Sequence, residues 1–67
     1  MLNRDYTILI PELRAAMNVS QEDFAKILGV SAVSVSRWEN GHSKPTKLVQ
    51  VKINKLLVRY DINVEEK

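Results

Sequence analysis

The sequence predicts an all-α protein: a compact bundle of four or five short helices in a single domain, residues 1–67. Three observations lead there. Apolar residues recur at helical spacing in successive stretches. Small hydroxyl residues stand before those stretches, and glycines close two of them. The chain has no cysteine and only 67 residues, so its core is thin and unstapled, and a bundle of helices uses such a core best.

The first helix is expected over about 8–17, with Thr7 as N-cap and Pro11 at the edge of the first turn, where a missing N–H costs little. A start at Ile10–Pro11 is the alternative. Leu13, Met17 and either Leu9 or Ile10 form its inward stripe. The second helix is sharper. Ser20 precedes Gln21-Glu22-Asp23, so Ser20 caps and Asp23 can reach back. Glu22 and Asp23 sit where the helix dipole favours acids. Phe24, Ile27 and Leu28 follow at helical spacing, and Gly29 ends the run. Ser31 caps the third helix. Val35 and Trp38 point one way along it; Ala32, Val33, Ser36 and Arg37 point the other. It stops at Asn40-Gly41, where glycine can turn left-handed. The fourth helix covers about 47–60 behind Thr46. Its main stripe is Val49, Ile53, Leu56, Leu57 and Tyr60. Val51, Val58 and Ile62 make a second stripe on nearly the opposite side. The tail, 61–67, is expected to fray.

Composition narrows the function. Ten Lys and Arg against eight Asp and Glu leave a net charge of +2, so the placement of charge matters more than its sum. No apolar run reaches the ~18 residues that span a membrane, and the N-terminus lacks the pattern of a signal peptide. The absence of cysteine fits a reducing, cytoplasmic setting. Enzyme readings fail on inventory. There is no glycine-rich phosphate loop, nucleophile elbow or cysteine nucleophile, and the paired acids are adjacent in sequence and do not face a cleft. His42 has no second His or Cys with which to build a metal site. No cofactor is implied.

The second and third helices are joined only by Gly29-Val30-Ser31. A three-residue turn containing glycine sets two helices steeply against each other. Ala25 is small where the helices cross, and Phe24, Leu28, Val30, Val35 and Trp38 are apolar where they share a core. The run SQEDFAKILGVSAVSVSRWENG, residues 20–41, resembles the helix-turn-helix of the Cro and lambdoid-repressor family, also called the xenobiotic-response-element family. Gln21, Ala25, Gly29, Val35 and the closing Trp38-Glu39-Asn40-Gly41 carry the likeness, which extends from Leu13-Arg14 to about Leu57.

The resemblance implies a sequence-specific DNA-binding regulator, a repressor on operator DNA. Its third helix would lie in the major groove and present Ala32, Val33, Ser36 and Arg37 to base edges. Arg37 suits guanine, whose O6 and N7 its planar fork can bond together; Ala32 and Val33 suit a thymine methyl. Gln21, Asn40, Lys44 and Lys47, joined by His42, would hold phosphates and fix register without reading sequence. Arg14 and Glu39 are similar to a buried ion pair of the family that ties the first helix to the third. Double-stranded DNA is the implied partner, bound by a homodimer on half-sites ~34 Å apart, with Val51, Val58 and Ile62 at the dimer contact. The alternative is an antitoxin or a protein-interaction module, whose main partner is a toxin or another regulator. Three of the functional residues also have a plainer reading. Arg37 could be a solvated arginine, Val33 core, and Gln21 an ordinary helix start. Trp38 is read as core. Lys52, Lys55 and Arg59 are read as a solvated face that could also follow a DNA backbone.

Overall fold

The computed structural model describes residues 5–62. Within them the chain forms α1 (Tyr6–Met17), α2 (Gln21–Leu28), α3 (Ala32–Glu39) and α4 (Lys47–Arg59). There is no strand and no fifth helix among the described residues, and no helix there is long and apolar enough to cross a membrane. Residues 63–67 of the expected frayed tail lie outside them.

The helix starts follow the capping logic. Ser20 Oγ accepts the Asp23 amide at 3.1 Å, Ser31 Oγ the Ser34 amide at 3.1 Å, and Thr46 Oγ1 the Val49 amide at 3.4 Å. Each satisfies one of the orphan N–H groups of a first turn. The start of α1 is a correction. Asp5, not Thr7, is the cap: its Oδ1 accepts the Thr7 amide at 3.1 Å and the Thr7 hydroxyl as well. A carboxylate bonded to backbone N–H at the positive end of a helix is the stronger cap of the two. Pro11 consequently lies inside α1 and not at its first turn. The N–H it lacks would have met the carbonyl of Thr7, an exposed residue.

All four helices stop the same way. A residue with positive φ follows each, namely Asn18 (59°), Gly29 (78°), Gly41 (78°) and Asp61 (60°). The next amide then reaches back to a carbonyl five residues earlier. These bonds are Val19 to Arg14 (3.1 Å), Val30 to Ala25 (2.9 Å), His42 to Arg37 (2.9 Å) and Ile62 to Leu57 (2.8 Å). This is the Schellman closure, which satisfies carbonyls the helix itself leaves open.

Four stripes meet in one core: Tyr6, Leu9, Ile10 and Leu13 of α1; Phe24, Ala25 and Leu28 of α2; Val35 and Trp38 of α3; Val49, Ile53 and Leu57 of α4. α2 packs on α3, α3 on α1, and α2 also on α4. Met17 and Leu56 are only half-buried at the core's edge. Two expected core residues face out: Ile27 is 50% exposed and Tyr60 39%. Ile27 lies beside the stripe that α2 buries, which runs through Phe24, Ala25 and Leu28. Ile62 departs from the second stripe of α4. The left-handed turn at Asp61 reverses the chain and lays Ile62 against the core, while Val51 and Val58 stay exposed.

Candidate nucleic-acid interface

The turn Gly29-Val30-Ser31 places α3 across α2. Val30 fills the angle from below as a half-buried residue against the core. Gly29 holds φ of 78°, and a Cβ added there would meet nothing nearer than Lys52 Nζ at 4.0 Å. The demand for glycine is therefore one of backbone conformation and not of space. Lys52 reaches over from α4 and donates to the Leu28 carbonyl at 3.2 Å, a cation on the negative end of α2. Periodicity gave no sign of this bond, because it joins residues 24 positions apart.

α3 buries Val35 and Trp38 and turns its other side outward. Val33 is 66% exposed and Arg37 is exposed, with Ser36 half-buried beside them; Ala32, expected to point outward, is half-buried against the core. Among the described residues the Arg37 guanidinium takes no hydrogen bond or ion pair. Asn40 folds back on the last turn of α3. Its Nδ2 donates to the Ser36 carbonyl at 2.9 Å and to Ser36 Oγ at 3.3 Å. Past the stop at Gly41, His42 and Lys44 are exposed, Pro45 is buried, and Lys47 opens α4 exposed. Gln50 Nε2 donates to the Pro45 carbonyl at 2.8 Å, which fixes the loop that carries Lys44.

One network joins three helices behind that surface. Arg14 of α1 meets Glu39 at the end of α3 through two bonds, Nε to Oε2 at 2.7 Å and Nη2 to Oε1 at 3.3 Å. Arg14 Nη1 also donates to the Val19 carbonyl at 3.2 Å. Gln21, the first residue of α2, donates from Nε2 to Glu39 Oε1 at 2.9 Å. The side chains of the ion pair are 24% and 11% exposed, so the pair is partly shielded and its planar fork is well matched to the carboxylate. The bond from Gln21 is a tertiary one that sequence spacing does not announce. It leaves the second N–H and the carbonyl of the Gln21 amide available at the N-terminus of α2.

An α-helix with small, apolar and basic side chains outward, backed by a second helix across a glycine turn, defines a helix-turn-helix DNA-binding domain. The helix-turn-helix family model matches residues 10–57, and the chain belongs to that family, in its Cro/C1-type branch. Among curated proteins it is similar to the antitoxin PezA of Streptococcus pneumoniae serotype 4 (strain ATCC BAA-334 / TIGR4), with 42% identity over 60 residues. That match takes in 87% of this chain but only 38% of the relative's length. No solved structure matches.

Proposed function

We propose that this chain is a sequence-specific transcriptional regulator, a repressor that binds operator DNA from the major groove without catalysis, in the cytoplasm. One observation supports it above the others: α3 exposes Val33, and an Arg37 whose side chain has no partner among the described residues, on the side away from its core residues. A valine two-thirds in water and an uncommitted guanidinium suit a thymine methyl and a guanine edge. In this reading Ala32, Val33, Ser36 and Arg37 contact bases. Gln21, Asn40, Lys44 and Lys47 contact phosphates, with His42 beside them. Gln21 does so with the amide atoms that Glu39 leaves over, and Arg14 and Glu39 hold α1, α2 and α3 in the register the groove requires.

One recognition helix reads few base pairs, so the regulator acts as a homodimer on an inverted repeat. The exposed stripe of α4, Val51 and Val58, extended by Leu48 at 70% exposure, is the proposed contact. Selection from a random duplex pool, followed by sequencing, tests the reading. An enriched inverted repeat, and loss of discrimination at one base position in Arg37→Ala, are expected. Recovery of no motif, with weak binding at physiological salt, would overturn it.

The likeness to PezA favours a second reading, in which the chain is an antitoxin that represses its own operator and also engages a toxin. Co-purification with the product of an adjacent reading frame tests that reading independently of DNA.

A further inference from the structure

We propose that the groove between the C-terminal parts of α2 and α4 docks an acidic amphipathic segment of a partner protein. Its floor is Ile27, Leu28 and Leu56, and its walls are Lys52, Lys55 and Arg59; among the described residues no carboxylate lines it. Ile27 is half exposed although it stands in the apolar pattern of α2. A single such residue is ordinary, but this one sits beside half-buried Leu56 in a concave strip.

The charge pattern selects the occupant. Lys52, Lys55 and Arg59 fall three and four residues apart, along one side of a helix, where like charges repel. α4 contains no Asp or Glu to offset them. Lys52 is held by the Leu28 carbonyl at 3.2 Å, which fixes one cation at the rim and leaves it donors over for a carboxylate. An apolar floor under a cationic rim fits a helix that presents aliphatic anchors one turn apart with acids beside them. A DNA backbone would waste the floor, since phosphate has no use for Ile27 and Leu56. No residue of α3 lines the groove, so an occupant leaves the outward face of that helix uncovered. The proposal does not depend on DNA reading.

The test uses the full chain, labelled with 15N. The probe is a synthetic helical peptide with leucines at i, i+3 and i+7 flanked by glutamates; the control carries lysines in place of the glutamates. Saturable shifts at Ile27, Leu28, Leu56 and Arg59 with the acidic peptide alone are expected. Lys55→Glu with Arg59→Glu should weaken binding about tenfold or more while the amide spectrum stays folded. Ile27→Ser should weaken binding without any change of charge. Absence of saturable shifts at millimolar peptide would overturn the proposal. So would equal binding of both peptides. A third overturning result is that sonicated duplex DNA shifts these residues at physiological salt while the peptide does not, which would make the groove a backbone-tracking surface.

Discussion

Gly29 and Asn18 do the same job with different chemistry, and their substitutions should have opposite signs. Both hold a left-handed conformation after a helix. A Cβ at Gly29 meets only the end of the Lys52 side chain, at an ordinary contact distance of 4.0 Å, so Gly29→Ala should cost only the conformational penalty, about 1–2 kcal/mol. Asn18 already bears part of that penalty, and Asn18→Gly should gain up to about 1 kcal/mol. Urea melts of the two variants measure both; a destabilised Asn18→Gly would show that its side chain matters more than its backbone. Arg37 belongs to this scale too. Arg37→Ala should leave stability within about 0.5 kcal/mol, as an exposed side chain does. It should remove about 1–3 kcal/mol of discrimination at one base pair. A variant that melts early instead would place Arg37 in the scaffold.

At the scale of elements the clamp of Arg14, Gln21 and Glu39 decides how α1, α2 and α3 sit together. Glu39→Ala removes two of the three bonds of a partly shielded guanidinium, leaving only that to the Val19 carbonyl, takes the acceptor from the Gln21 amide, and should cost about 1–3 kcal/mol. Replacing both charges, with Arg14→Met and Glu39→Leu, should cost less than the single change, because no charge is left unpaired. A double-mutant cycle on thermal or urea melts reads the difference. Much of this level was legible in the sequence. Ser20, Ser31 and Thr46 stand alone as good caps before apolar runs, so three helix starts could be read directly. α1 offered two acceptors, Asp5 and Thr7, and sequence alone ranks them poorly because a hydroxyl can donate to the very carboxylate it competes with. Ile62 was misplaced because helical spacing was extended past the end of a helix. Asp61 reverses the chain there, and Asp marks such a turn far less openly than Gly. On the candidate interface, the exposure of Val33 and Arg37 followed from the period of α3 with Val35 and Trp38 read as core, whereas the packing of Ala32 against the core is a contact that the period of one helix does not show. The bonds of Gln21 and Lys52 could not be read, because they join helices that meet only after folding.

For the whole molecule, α4 is the helix that leaves the most large apolar residues exposed, namely Leu48, Val51 and Val58. If the dimer forms along Leu48, Val51 and Val58, Val58→Asp should shift light-scattering mass to that of a monomer and weaken operator binding, yet leave the helical content unchanged. A dimer that persists in Val58→Asp would exclude this stripe. Salt separates positioning from reading. The logarithm of affinity should fall with the logarithm of salt in proportion to the phosphates neutralised, and Lys47→Ala should reduce that slope by about 1 across all sequences. Arg37→Ala should change which sequence is preferred far more than it changes the non-specific level. Titrations of a matched and a scrambled duplex at several salt concentrations distinguish the two.

The four identical helix stops bear on how quickly the chain finds this arrangement. Each closure joins residues only five apart, so each stop is specified before any distant part of the chain arrives. Helices of the right length can thus flicker in the unfolded ensemble, and the remaining search consists of docking short rods across short loops. Chains dominated by such near-neighbour contacts fold in roughly microseconds to milliseconds, and stopped-flow or temperature-jump relaxation should find this one among them.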